Sequence, residues 1–298
     1  MNNYNGILIV NKPSGITSRD VVNIVGKTLN TKKVGHTGTL DPMATGVLVL
    51  CLGNALKVCE LITANDKEYI AKVILGIETE TLDTTSPIIN TKKTNITKEE
   101  IEKVLNSFKG SYLQEVPKYS AVKINGKKLY EYAREGKEIE LPKKMVTIYD
   151  IQLVSDITYY NDTTSFYIKT TVSKGTYIRS LCYDIGEKLG VYAAMTELNR
   201  AETSVFKQED SINIKDLTSE NYSQYLISIE EALNHYERIN INHKYAKLLV
   251  NGVRVGDTRY TNDKVENEKL YRVYDGEKFL GLGSKNDKGF KITKLLIT

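Results

Sequence analysis

Tryptophan is absent from this chain of 298 residues, and cysteine is scarce, with residues at positions 51, 59 and 182. Their odd number and the lack of metal-ligand spacing argue against a disulfide framework and against a metal site. Cys51 lies in an apolar run, which predicts a buried free thiol. A nucleotide-binding glycine loop is missing as well, so we expect no metal and no organic cofactor.

Long hydrophobic segments are also missing. No run is long enough to span a bilayer, and residues 1–6 lack the pattern of a signal peptide. These absences predict a cytoplasmic protein that does not contact a membrane.

The composition is that of an ordinary globular protein, with 41% hydrophobic and 26% charged residues. The length allows one large domain and a smaller one. A net charge of +4 permits a nucleic-acid partner without requiring one. Twenty tyrosines against five phenylalanines supply amphipathic rings, which suit RNA stacking and also half-buried packing.

Hydrophobic periodicity predicts an α+β protein. Thr17 or Ser18 is expected to cap a first helix, and Thr97 with Glu100 forms a capping box for another. We predict strands at residues 6–10, 47–52, 66–76, 116–125, 146–154 and 166–172, and helices from residue 18, at 97–108, at 127–136 and up to residue 189.

The character of the sequence changes near residue 239. Residues 245–256 and those after them are interpreted as short strands with glycine turns, and residues 271–283 as a hairpin around Asp275-Gly276. Residues 210–238 predict short helices rather than a flexible linker. We therefore expect two closely packed domains, 1–238 and 239–298.

Residues 34–46 are the most informative stretch. Three glycines and Pro42 forbid a helix or a paired strand, so this is a shaped loop that leads into a buried strand. Rigidly held loops of this kind often carry chemistry. The loop contains one carboxylate, Asp41. A glycine-rich turn in which Asp41 bonds the local backbone is the alternative interpretation.

The run Gly35-His36-Thr37-Gly38-Thr39-Leu40-Asp41-Pro42, with the following Ala44-Thr45-Gly46, resembles the signature of the TruB family of bacterial tRNA pseudouridine-55 synthases. Residues 119–134 and 173–181 match the family as well. The resemblance implies that the protein isomerises uridine to pseudouridine at position 55 in the T arm of tRNA, with Asp41 as the catalytic aspartate. Isomerisation needs no cofactor.

The resemblance also assigns roles around the target base. His36 would occupy the vacated stack, Tyr69 would stack on the uracil, and Tyr177 would line its pocket. Arg179 would pair with Asp41, and Leu198 would contact the substrate.

Other matching positions carry weaker implications. Lys12 and Pro13 match a lysine and proline of the family, and Lys123 and Arg134 are candidates for phosphate contacts. Asn199 departs from the more frequent arginine, which weakens a phosphate role there.

The position of Arg179 can also be argued from the residues alone. It stands at the start of a predicted helix, where the positive end of the helix dipole disfavours a cation. An acidic partner is therefore expected, and Asp41 is the candidate.

The family implies a large, mixed, mainly antiparallel sheet flanked by helices, followed by a small β-barrel of the PUA type that packs against RNA. It implies tRNA as the partner, with no protein partner and a monomeric chain. Three alternatives stay open: a non-catalytic tRNA-binding or tRNA-folding protein, a base glycosylase that uses one aspartate, and a guide-RNA-dependent relative.

Overall fold

A computed structural model describes residues 4–62 and 66–297. Residues 1–3, part of the stretch without a signal-peptide pattern, lie outside the described residues. No helix in the described part of the chain is long and apolar enough to cross a membrane.

Strands make up most of the regular structure. In chain order they are β1 (Gly6–Lys12), β2 (Val34–His36), β3 (Thr45–Leu52), β4 (Lys67–Leu75), β5 (Ile77–Thr79), β6 (Ile88–Thr91), β7 (Gly110–Glu115), β8 (Lys123–Ile124), β9 (Lys127–Lys128), β10 (Lys143–Leu153), β11 (Thr158–Tyr160), β12 (Thr163–Val172), β13 (Ala193–Thr203), β14 (Phe206–Lys207), β15 (Ile212–Asn213), β16 (Leu226–Ile227), β17 (Arg238–Asn240), β18 (Leu270–Asp275), β19 (Lys278–Asn286) and β20 (Gly289–Leu295).

The helices flank these strands. They are α1 (Ser18–Thr28), α2 (Cys59–Ile62), α3 (Lys98–Asn106), α4 (Leu129–Arg134), α5 (Ile178–Leu189), α6 (Ile229–Ala232) and α7 (His243–Val250), and short 3-10 turns follow β3, β14 and β15.

The main sheet has the order β15-β1-β3-β13-β4-β12-β10-β7. Its pairs are antiparallel except for β1 with β15 and β3 with β13. The predicted mixed and mainly antiparallel sheet is therefore confirmed. Strand β3 is buried along almost its whole length, whereas β4 alternates between buried and half-buried residues, as expected for a strand with one covered face.

Two predicted helix starts are confirmed. Thr17 caps α1 and Thr97 caps α3, and in both the capping side chain accepts from a backbone N–H while an acid three residues later bonds back. In α1, Val21, Val22, Val25 and Leu29 are buried. Cys51 is buried in β3, as predicted.

Three segments were predicted wrongly. Residues 34–36 form β2 and pair with β3, although the stretch 34–46 was expected to hold no paired strand. Residues 245–256 do not open with strands, because α7 covers His243–Val250 and its buried Ala246 and Leu249 have helical spacing. The predicted strand 116–125 is reduced to β8, which forms a two-residue hairpin with β9 around Asn125-Gly126. Upstream of β8, the backbone bonds to helix α4, since Ser120 and Val122 accept from the N–H groups of Tyr130 and Leu129.

The C-terminal strands form the sheet β17-β18-β19-β20, with the predicted turn at Asp275-Gly276 between β18 and β19. A closed barrel is not found among the strands of residues 4–62 and 66–297. This small sheet has its own apolar cluster, which includes Ile239, Leu249, Val273 and Phe290.

A further apolar cluster joins the two sheets. It contains Ile7, Ile9 and Val49 from the main sheet together with Leu282 of β19 and Leu296, which directly follows β20. Ile229, Ala232 and Leu233 of the segment before β17 belong to the same cluster. The expected close packing of the two parts is therefore observed.

Candidate active site

The loop that carries Asp41 runs from β2 to β3 and enters the middle of the main sheet. Strand β3 lies between β1 and β13, and Arg200 of β13 is in register with Gly46. Gly46 has φ +98°, and a Cβ there would lie 2.3 Å from the carbonyl oxygen of Arg200. Only glycine allows this close approach at a positive φ.

Lys12 holds the loop from the β1 side. It is fully buried, and its Nζ donates to the carbonyl oxygens of Pro13 (2.9 Å), Pro42 (3.1 Å) and Ala44 (2.7 Å). Burial lowers the pKa of Lys12 to about 8, although the nearby Asp41 opposes the shift. This lysine therefore fixes the backbone on both sides of residue 43, and it does not point to solvent.

Two other side chains fix the loop. Ser18 of α1 bonds both backbone groups of Leu40, accepting from its N–H at 2.9 Å and donating to its C=O at 3.1 Å. Arg200 is 2% exposed and donates to the carbonyls of Val47 (2.7 Å) and Gly38 (3.2 Å). The loop is thus held on both flanks by buried polar groups, which makes its shape rigid.

Asp41 forms a two-point ion pair with Arg179 of α5. Arg179 Nε lies 2.9 Å from Oδ2, and Nη2 lies 3.2 Å from Oδ1. The predicted pairing is confirmed. The Asp41 carboxylate bonds Arg179 and not the local backbone, as the alternative interpretation had it. The Arg179 side chain is 7% exposed and that of Asp41 33%, so the carboxylate can be reached while its partner is covered.

Arg179 is fixed by further contacts that the sequence did not predict. Its Nη1 donates to the carbonyl of Thr81 and its Nη2 to that of Tyr119, both at 3.0 Å. A second acid, Asp83, lies 3.8 Å from Nε and is almost fully buried. The sequence did not predict a role for Asp83.

Asp83 in turn is held by the hydroxyls of Thr81 (2.7 Å) and Thr85 and by the Thr85 N–H (3.0 Å). One guanidinium therefore faces two carboxylates, and only Asp41 has a substantial exposed surface. The arrangement presents one accessible anion on a rigid support.

The residues assigned to the base pocket lie on neighbouring elements. Tyr69 of β4 is 7% exposed and is in register with Arg200 of β13 on one side and Thr170 of β12 on the other. Tyr177 immediately precedes α5, and burial raises the pKa of its hydroxyl. Leu198 lies on β13 in the main apolar cluster.

His36 ends β2, at the entrance of the loop. Its Nδ1 is buried without a hydrogen-bond partner among the described residues. Burial, and to a smaller extent the charges of Arg19 and Arg200, lower the pKa of the imidazole. The ring is therefore neutral at pH 7, which suits contact with stacked bases.

The remaining candidates lie outside this group. Pro13 is exposed, and its carbonyl accepts from Lys12. Lys123 is exposed on β8, and the guanidinium of Arg134 in α4 lies 5.3 Å from the centre of the Tyr130 ring. The contact from Arg179 to the Tyr119 carbonyl ties the beginning of this segment to Asp41.

Metal ligation has no support in the described ranges 4–62 and 66–297, which contain no group of three or more histidine, cysteine, aspartate or glutamate side chains arranged to hold an ion. What this site offers is a single accessible carboxylate, held at both oxygens by a buried arginine on a rigidly fixed loop.

Comparison with known families identifies two matches. Residues 26–178 match the TruB family pseudouridylate synthase (N terminal domain), and residues 179–236 match the tRNA pseudouridylate synthase B C-terminal domain. Together they span the Asp41 loop, Arg179 and the segment before β17.

Full-length relatives agree. A protein of Clostridium tetani is 47% identical over 98% of this chain and 100% of its own length. One from Clostridium perfringens is 48% identical over 98% and 99%, and one from Bacillus subtilis is 47% identical over 83% and 82%. Each is named tRNA pseudouridine synthase B.

Solved structures share the fold. A chain of an H/ACA RNP bound to a substrate RNA containing 2'-deoxyuridine superposes with a TM-score of 0.71 at 22% identity, covering 98% of this chain and 85% of the other. A chain of a Cbf5-Nop10-Gar1 complex gives 0.69 at 25% identity, covering 98% and 81%.

Proposed function

Because the chain belongs to the TruB family of pseudouridylate synthases, we propose that it isomerises uridine to pseudouridine at position 55 in the T arm of tRNA, with Asp41 as the catalytic aspartate. The relatives that match nearly the whole chain are named tRNA pseudouridine synthase B, and this name supports tRNA as the substrate.

The observation that carries the proposal is the Asp41–Arg179 pair. The reaction breaks the N1–C1′ bond, turns the uracil and forms a C5–C1′ bond; the C5 proton is lost and N1 gains a proton. Asp41 must be ionised to act either as a nucleophile or as a base, and the buried guanidinium holds both oxygens of its carboxylate in place. The exposed part of the carboxylate is the part that meets the nucleotide.

The base must leave the RNA stack to reach Asp41, as in other enzymes that act on bases. In our proposal Tyr69 and Tyr177 hold the extruded uracil, Leu198 packs against it, and the neutral ring of His36 fills the space that it leaves. Their positions on β4, at the N-cap of α5, on β13 and on β2 support this assignment.

The RNA-binding surface in this proposal extends beyond the pocket. Lys123 and Arg134 contact phosphates from the segment tied to Arg179, and Lys12 acts on the loop rather than on RNA. Residues 239–298 form a PUA-like RNA-binding domain packed on the catalytic domain 1–238. The protein acts as a cytoplasmic monomer without a cofactor.

Tritium release tests the proposal. Unmodified tRNA labelled with tritium at uridine C5 is incubated with the wild-type protein and with Asp41→Asn, which has the same size but cannot ionise. We expect release equal to one T-arm uridine per tRNA with the wild type and none with the variant, while both bind tRNA with similar affinity. Measurable turnover by Asp41→Asn would show that Asp41 is not the catalytic aspartate.

The same assay distinguishes the other functions. Tight binding without tritium release by the wild type would indicate a tRNA-binding or tRNA-folding protein. Appearance of free uracil would indicate a glycosylase. A requirement for an added RNA would indicate a guide-dependent enzyme.

A further inference from the structure

Gln114, near the end of β7, is the most deeply buried amide side chain close to the Asp41–Arg179 pair. It is 1% exposed. Its Oε1 accepts from the N–H of Tyr177 at 2.8 Å, and its Nε2 donates to the C=O of the same residue at 3.1 Å. One amide side chain thus pairs with both backbone groups of one residue, two positions before Arg179.

The start of α5 depends on this contact. Tyr177 is the N-cap residue, and its side chain makes no capping hydrogen bond. Helix starts are usually fixed by the side chain of the N-cap residue. Here the Gln114 side chain from β7 fixes the backbone of that residue, and this fixes the direction of the first turn of α5.

The orientation of the amide is fixed by its third contact. Tyr112 donates its only hydroxyl proton to Asp184 Oδ2 at 3.0 Å, so its oxygen can accept the hydrogen bond from Gln114 Nε2 at 2.7 Å. The nitrogen therefore faces Tyr112 and the Tyr177 carbonyl, and the oxygen faces the Tyr177 N–H. A carboxylate in this place would lack both donors.

We propose that Gln114 is a positioning residue for the isomerisation: its amide fixes the Tyr177 backbone, and thereby holds the Tyr177 ring and the Arg179 guanidinium in register with Asp41. The inference rests on the function proposed above and adds a residue that does not touch the RNA. A misplacement of about 1 Å in a catalytic group costs on the order of 100-fold in rate.

The test compares single-turnover tritium release and tRNA affinity in the full-length protein. Gln114→Glu is nearly isosteric but, when ionised, puts an oxygen against the Tyr177 carbonyl. We expect its rate at pH 8 to fall about 10- to 100-fold with the dissociation constant for tRNA within about 3-fold of wild type. Burial raises the pKa of such a carboxyl, and the neutral acid can again donate to the carbonyl.

This chemistry predicts a pH signature. The ratio of the Gln114→Glu rate to the wild-type rate should rise as the pH falls from 8 to 6. Gln114→Met keeps the length and apolar volume without any hydrogen bond, so it covers the case in which the charged variant does not fold. It should be slow at every pH.

Two controls separate positioning from general stability. Ser180→Ala removes a partly buried hydrogen bond of 2.9 Å from the Ser180 hydroxyl of α5 to the carbonyl of Glu115, the residue after Gln114, and this bond does not involve Tyr177. Gln224→Glu makes the same chemical change at an exposed position. Both should turn over within about 3-fold of wild type, even where Ser180→Ala lowers the melting temperature.

The outcomes distinguish the two proposals. If wild type releases no tritium, the proposed function fails. If wild type is active and Gln114→Met turns over within 2-fold of it, or if Ser180→Ala is slowed as much as Gln114→Met, the positioning role fails while the synthase assignment stands. A flat pH ratio for a folded, slowed Gln114→Glu also contradicts it.

Discussion

At the scale of single residues, Arg179 makes four hydrogen bonds through its guanidinium, and only two of them reach Asp41. The other two go to backbone carbonyls of separate segments, those of Thr81 and Tyr119. The planar group therefore sets both the position and the orientation of the carboxylate. An ammonium group of the same charge lacks this fixed geometry.

Arg179→Lys tests that geometry while retaining the positive charge. A lysine cannot bridge both Asp41 oxygens and also bond both carbonyls, so we expect the single-turnover rate to fall about 100-fold with little change in tRNA affinity. Tritium release measures the rate. The matched control is Arg259→Lys, because Arg259 is exposed and pairs with Asp257. A rate near that of wild type would show that charge alone suffices.

The helix dipole predicted an anion beside Arg179, and the resemblance to the TruB family implied that Asp41 is this anion. Asp83 and Gln114 were not predicted. Their importance comes from burial and from long-range contacts, that of Asp83 with Arg179 and that of Gln114 with Tyr177, which only the folded chain creates. Local sequence patterns contain no signal for polar groups whose partners lie on distant segments.

At the scale of elements, helix α5 links the site to the interior through Asp184. Its carboxylate accepts from Tyr112, and burial raises its pKa to about 6 from the ordinary value of 3.8. The folded state thus binds more protons than the unfolded state between pH 4 and pH 6. The contribution of Asp184 to stability is fully present below pH 4 and is lost as the pH rises through 6.

Asp184→Asn removes this titration and keeps an oxygen that can accept from Tyr112. We therefore compare the free energy of unfolding of the variant with that of wild type at each pH. The difference, variant minus wild type, should be larger at pH 7 than at pH 4 by on the order of 1–2 kcal/mol. Urea unfolding at both pH values measures it. Asp156→Asn removes an exposed carboxylate and serves as the control. A pH-independent difference would contradict the assignment.

Elements with clear periodicity were predicted well, among them β1, β3, β4, α1, α3 and α5. The failures have physical causes. Residues 116–122 bond to a helix and to Arg179 instead of to a strand, so their apolar alternation does not produce a sheet edge. In residues 243–250, closely spaced apolar residues fit both periods, and packing against the small sheet selects the helix.

At the scale of the whole molecule, the two sheets are joined by apolar packing and by polar contacts at the boundary. Lys57 donates to the carbonyl of Leu295 at 2.8 Å, and Asn54 to that of Ile297 at 3.2 Å. Lys294 pairs with Glu60 at 3.2 Å. Residues close to the C-terminus thus attach to the segment that follows β3, the strand into which the Asp41 loop leads.

The prediction at this scale concerns Leu282, which is fully buried in the cluster shared by both sheets, whereas Leu280 on the same strand belongs to the cluster of the small sheet alone.

Truncation of either side chain leaves a cavity and lowers the free energy of unfolding by about 2–5 kcal/mol. If the shared cluster couples the two parts, Leu282→Ala should lower the stability of the main sheet as well. Leu280→Ala should then act on the small sheet. Because the chain lacks tryptophan, calorimetry combined with amide hydrogen exchange of β3 and β18 is the suitable measurement. We expect Leu282→Ala to speed exchange in both strands, and Leu280→Ala to speed it mainly in β18. Unchanged protection of β3 in Leu282→Ala would contradict the coupling, because it would show that the small sheet does not stabilise the strand that follows the Asp41 loop.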